Sequence, residues 1–139
     1  MKWVYNDGGR DAAGYKGKAR DCVTRAVAIA ANLNYGYVYS ALNKAAVYKR
    51  RDGAKSYART GVFKPDIRRF MQGLGWKWTP TMRIGSGCQV HLREGELPAG
   101  RLVVSTSRHL VAVIDGVIHD TLDCSRSGSR CVYGYWSRP

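Results

Sequence analysis

The feature that most constrains this chain is the segment Ser107–Leu122, in which β-branched runs on either side meet at Asp115-Gly116. An Asp-Gly pair between such runs is a favoured hairpin turn, because both central positions of the tight turn need positive φ. The turn sets a register in which Ile114 faces Val117, Val113 faces Ile118, Ala112 faces His119 and Val111 faces Asp120. Opposed residues share a sheet face, and so do residues two apart on one strand. His109, Val111 and Asp120 therefore lie together, and His119 falls on the opposite face. Diagonal neighbours of this kind are roughly 7 Å apart or less. At that range Asp120 can hold the distal nitrogen of the His109 ring, fixing its tautomer and stabilising imidazolium.

A base held in this way needs a nucleophile, and Cys22 is the candidate. From Cys22 to about Leu33 the residues Val23, Ala26, Val27, Ala30 and Leu33 follow helical spacing, with Asp21 placed to cap the helix. A cysteine in a first helical turn meets unpaired N–H groups and the positive end of the dipole, which favour thiolate. Arg20 and Arg25 push the same way, and a depressed thiol pKa is what makes cysteine nucleophilic near neutrality.

The remaining pattern supplies a frame. A second helix is predicted from about Tyr37 to Lys49, then a mobile loop from Arg50 to Gly61, then a third helix opened by Pro65 with Ile67, Phe70, Met71 and Leu74 inward. Residues 1–20 read as an irregular lead-in with a short strand at Trp3–Tyr5. Arg101–Thr106, Leu110–Ile114, Val117–Thr121 and Cys131–Trp136 read as strands, with alternation at Trp76–Trp78. The expected class is α+β, with N-terminal helices carrying the cysteine packed against a C-terminal antiparallel sheet carrying histidine and aspartate, in a single domain over residues 1–139.

Charge adds a second theme. Lys and Arg number 23 against 10 Asp and Glu, a net charge of +13, and residues 1–70 hold 15 of the basic and 5 of the acidic residues. Such a field attracts acidic protein or nucleic-acid surfaces. Arg50, Arg51, Arg68 and Arg69 form the expected anionic-partner surface, although no Walker loop or zinc finger accompanies them. Trp76, Trp78, Tyr133, Tyr135 and Trp136 could stack on bases, but core packing is the commoner fate of such residues. No apolar run is long enough for a membrane span, and the N-terminal stretch lacks the apolar region of a signal peptide, so a cytoplasmic protein with reduced thiols is expected. A Cys124–Cys131 disulfide would suit work outside the cell. No cofactor is called for. His109, His119, Cys124 and Cys131 are suitable zinc-ligand types, but strand parity separates the two histidines, so no metal is expected.

Asp21-Cys22 opening an apolar helix, Leu97–Val104, His109–Val113 and His119-Asp120 resemble the matching segments of small papain-like cysteine peptidases, particularly the bacteriocin-processing, double-glycine-leader type. The whole chain is similar to small papain-like proteins of bacteriophages and their hosts. That resemblance implies cleavage of a peptide or isopeptide bond, with Cys22 as nucleophile, His109 as base and Asp120 as its orienter, in the host cytoplasm for a phage-encoded protein. Those peptidases carry a glutamine about six residues before the cysteine as an oxyanion donor, where this chain has Lys16. Lys16 and Asn6 are the side-chain candidates for that task beside the Cys22 N–H, and loss of one donor costs roughly a hundredfold to a thousandfold in rate. Two other functions fit the frame: acyl transfer, as in transglutaminase-like relatives, and a non-catalytic basic binding or inhibitor module on a degenerate scaffold.

Overall fold

The computed structural model describes residues 1–139, and its architecture is α+β with three helices and a six-stranded mixed sheet. At its centre is the hairpin of β4 (His109–Ile114) and β5 (Val117–Asp120), paired Ala112↔His119, Val113↔Ile118 and Ile114↔Val117. Asp115 and Gly116 both take positive φ, 48° and 78°, the backbone that an Asp-Gly turn permits at little cost. The Asp115 carboxylate accepts from the Gly100 N–H at 2.8 Å, tying the turn to the start of β3 (Arg101–Thr106), which pairs antiparallel with β4.

Beyond β3 come β6 (Gly134–Ser137) and the edge strand β2 (Lys77–Pro80), both in antiparallel pairing. Gly134 is required where β2 and β6 approach: a Cβ there would enter the Trp78 ring and come within 2.9 Å of the Thr79 carbonyl. On the other edge β1 (Lys2–Tyr5) runs parallel to β5, with Trp3 beside Ile118 and Tyr5 beside Asp120. The sheet is therefore mixed rather than antiparallel. Parallel pairing needs a long crossover, and every helix lies in that connection. β1 is the short strand expected at Trp3–Tyr5, but it is exposed along its length, so no buried alternation in the sequence announces its parallel pairing.

The helices are α1 (Cys22–Ala31), α2 (Tyr35–Ala45) and α3 (Lys64–Gly73). Asn32 in left-handed conformation ends α1. Asn34 caps α2 by accepting from the Tyr37 N–H at 3.1 Å, which starts that helix ahead of the predicted Tyr37. Val27 and Ala30 of α1 join Val38, Met71, Val103, Ala112 and Trp136 in a cluster on one face of the sheet. A smaller cluster of Leu92, Leu102, Val104, Val111, Val113, Ile118 and Val132 closes the other face.

Two expectations are corrected here. The Arg50–Gly61 stretch is anchored rather than mobile: the Ser56 hydroxyl donates to Asp66, 1% exposed, and the Ala58 carbonyl accepts from the Thr24 hydroxyl at 3.0 Å. The Ala58 N–H donates to Asn43 at 2.8 Å, and the Arg20 N–H to the Arg59 carbonyl at 2.8 Å. These bonds come from distant side chains, so a local reading of glycine and charge misses them. Against the expectation of reduced thiols, Cys131 is joined to Cys88, with Cα atoms 5.9 Å apart; the alternative Cys124–Cys131 pairing is not formed. Cys22 and Cys124 are free thiols.

Candidate active site

His109 opens β4 and Asp120 closes β5, so both stand at strand ends beyond the last β4–β5 pair. Parity alone would turn them toward the smaller cluster, whereas α1 packs on the opposite face. They reach the N-terminus of α1 because no further strand residue separates them from the end of the sheet. There the His109 Nε2 and the Asp120 Oδ2 are 2.7 Å apart, a charge-assisted distance. The other carboxylate oxygen, Oδ1, accepts from Arg25 Nη1 and from the Thr121 N–H, each at 2.7 Å. Trp3 of β1 donates its indole N–H to the Asp120 carbonyl at 3.1 Å, which fixes the backbone under the carboxylate.

The titration of these groups follows from their surroundings. Burial alone would push the Cys22 thiol up, but the hydrogen bond with the His109 imidazole, the Leu110 N–H and the positive charges of His109 and Arg25 hold it below its ordinary value. Burial likewise works against a charged His109, yet its bonds with Asp120, Cys124 and Cys22 raise it to about 11. Burial raises Asp120, and the opposing His109 bond, Thr121 N–H and Arg25 charge bring it down. All three shifts favour the charged forms, thiolate, imidazolium and carboxylate, over the neutral ones.

Arg25 ties the site to the helix that carries the cysteine. Its Nε lies 3.1 Å from Asp21 Oδ1, and its Nη1 also donates to the Thr121 hydroxyl at 3.0 Å. The Asp21 carboxylate, placed at the N-cap, makes no capping bond to the helix. It accepts instead from the Tyr35 hydroxyl at 2.6 Å and faces Arg10 at 3.4 Å. Asp21 therefore acts as the anchor of Arg25 rather than as the expected cap. The Asp21/Arg25 spacing is an i,i+4 ion pair legible in the sequence, but its reach to Asp120 is set only by the tertiary fold.

Cys22 and His109 open onto a cleft of about 410 Å³, bounded on the helical side by Thr60, Gly61, Val62 and Ile67 and on the sheet side by Ser105, Leu110, Trp78 and Trp136. The rings of Trp78 and Trp136 stand 5.2 Å apart, so these aromatics build the floor of the cleft rather than an open stacking surface. Of the expected anionic-partner residues, Arg68 faces this cleft, whereas Arg50 pairs with Asp52 and Arg69 with Asp66. Arg51 is exposed and makes no ion pair.

Neither oxyanion candidate lines the cleft. Asn6 contacts the His119 ring at 3.2 Å and accepts from the Gly8 N–H at 2.9 Å, the task of a turn residue. The Lys16 ammonium is bound to Asp11 at 2.6 Å in solvent. The first-turn N–H groups of α1 are the donors that the fold leaves near the thiol.

A second thiol was missed by the sequence reasoning as a partner of this site. Donor atoms of His109, Asp120 and Cys124 lie within 4.8 Å of one another, a set chemically suited to a divalent transition metal. The zinc set weighed from sequence is not assembled, because His119 turns to Asn6 and Cys131 is in the disulfide. Cys124 sits in an irregular segment after β5, where no periodicity places a side chain. It opens with Arg126 and Arg130 onto a second depression on the Asp120 side, which shares Arg108 and His109 with the cleft.

Compared with known proteins, the chain matches no family model, no curated protein and no solved structure.

Proposed function

We propose that this chain is a cysteine hydrolase of papain-like organisation that cleaves a peptide or isopeptide bond through Cys22, His109 and Asp120. The observation that carries the reading is the pairing of His109 with Asp120 at 2.7 Å beside a thiol held below its ordinary value on the wall of an open cleft. Cys124 meets the same imidazole but opens away from that cleft, which favours Cys22 as nucleophile.

The chemistry needs no group beyond the chain and water. The Cys22 thiolate attacks the carbonyl carbon, and the C=O electron pair moves onto oxygen, where the N–H groups at the start of α1 stabilise the charge. Collapse of this intermediate breaks the C–N bond, and the His109 imidazolium gives its proton to the leaving amine. Neutral His109 then takes a proton from water, whose oxygen attacks the thioester and releases the acid and the thiolate. Asp120 orients the ring and stabilises its charged form, and Arg25 holds Asp120. An amine replacing water in the second half would make the same acyl-enzyme a transferase.

Cytoplasmic work belongs to the same proposal, with the Cys88–Cys131 disulfide an exception to the reduced thiols usual in that compartment. A non-catalytic basic module draws less support, because Arg50 and Arg69 are already matched by acids of the chain. Selective alkylation of Cys22, dependent on His109, is the experiment that tests the reading; an unreactive Cys22 would remove its nucleophile.

A further inference from the structure

We infer that the cleft beside Cys22 takes an acidic peptide, in which an apolar or aromatic side chain is flanked by carboxylates. This assignment of substrate class rests on the hydrolase reading for its chemistry, but its physical basis is separate. The cleft lining contains no Asp or Glu, and it carries four exposed cations, Arg20, Lys64, Arg68 and Arg108. Arg20 precedes α1, Arg108 lies in the turn between β3 and β4, and Lys64 and Arg68 come from α3, so the positive charge reaches the cleft from three parts of the chain.

None of these four side chains is in an ion pair, while several carboxylates of the protein are engaged elsewhere: Asp21 with Arg10 and Arg25, Asp52 with Arg50, Asp66 with Arg69, and Glu96 with Arg93. Lys64 is held over the Tyr133 ring, 5.8 Å from its centre, which restricts the ammonium to the sheet side of the cleft. Like charges gathered around a low-dielectric floor repel one another and reinforce a single field, so an anionic ligand relieves the repulsion as it binds. Between them the floor of Ile67, Leu110, Trp78 and Trp136 offers apolar surface for one side chain. A polyanion without an acyl carbonyl would match the charge but leave the thiol without a target, which favours a peptide over a nucleic acid.

The test is equilibrium binding to the full chain carrying Cys22→Ala, which cannot turn substrate over, with three acetylated peptide amides: Glu-Phe-Glu, Gln-Phe-Gln and Glu-Ser-Glu. Titration calorimetry should rank the first tightest, by about tenfold over the Gln peptide for two exposed charge contacts and by a similar factor over the Ser peptide. The Glu-over-Gln preference should shrink when salt rises from about 50 mM to about 500 mM, and in Lys64→Ala/Arg68→Ala, but not in Arg51→Ala, which lies outside the cleft. Equal affinity for the Glu and Gln peptides would overturn the inference, and so would an oligonucleotide of about ten residues that binds more tightly than all three and displaces them. The preference is read on the intact cleft, so it stands even where a charge variant fails to fold. Peptide selectivity with an inert Cys22 would remove the hydrolase reading alone; an activated Cys22 with indifferent peptide binding would remove the acidic-peptide assignment alone.

Discussion

Replacing Arg25 with methionine should both destabilise the fold and weaken activation of the thiol. Arg25 is 12% exposed at its side chain and bridges two carboxylates, Asp21 and Asp120, that are each 5% exposed. Removing one partner of a buried ion pair commonly costs about 3–5 kcal/mol, because the remaining charge is left buried. Each carboxylate here keeps other donors, Tyr35 and Arg10 for Asp21, His109 and the Thr121 N–H for Asp120, so the lower figure of about 2–3 kcal/mol applies. Methionine preserves most of the stem's packing, which makes the loss electrostatic. With roughly 2.1 cal/mol/K of unfolding entropy per residue over 139 residues, the melting temperature should fall by about 7–10 °C. Calorimetry measures this directly. The same variant should raise the pH at which Cys22 alkylates, since the Arg25 charge helps hold the thiol down. A melting temperature within about 1 °C of the wild type, together with an unchanged alkylation profile, would refute the bridge as the element that couples α1 to the hairpin.

Cys88→Ser should lower stability by about 2–4 kcal/mol, because the Cys88–Cys131 bond closes a 43-residue separation; a denaturation midpoint that ignores both this change and added reductant would contradict the pairing. The pH dependence of stability should show the charged His109. Folding raises it from 6.5 to about 11, so its contribution is complete below the lower value, declines as pH rises and is gone above the upper one. In a Cys22→Ala background, which removes the thiol's own titration, the stability gap between His109 and His109→Gln should narrow from about pH 6 to about pH 10; a constant gap would deny the imidazolium its part.

How much of this was legible in the sequence depended on how local the signal was. The Asp115-Gly116 turn fixed the β4–β5 register residue by residue, because a tight turn and period-2 alternation leave one pairing that buries Val111, Val113 and Ile118 together. The start of α1 at Cys22 was equally local. What stayed hidden came from long-range contacts. The strand at Trp3–Tyr5 was expected, but its parallel pairing with β5 was not. Asp21 looks like a cap by position, yet its carboxylate is claimed by Arg25, Arg10 and Tyr35. Cys124 and the Cys88–Cys131 bond sit in irregular segments, where spacing carries no directional information. Arg68 and Arg69 are neighbours in sequence, but helical rotation sends one to the cleft and the other to Asp66. An anionic-partner surface read as a run of charge thus divides into Arg68 at the cleft, Arg50 and Arg69 neutralised within the chain, and Arg51 exposed outside the cleft.

The central claim is that Cys22 is a thiolate because His109, held by Asp120, is beside it. The most direct measurement is the rate of iodoacetamide alkylation at each cysteine as a function of pH, read by mass spectrometry in the wild type and in His109→Gln. The account predicts that Cys22 reacts ahead of Cys124, with a midpoint below the value of about 8.5 for a free thiol, and that the midpoint moves up without His109. A Cys22 that titrates like a free thiol in both proteins, or a Cys124 that carries the His109-dependent reactivity instead, would contradict it.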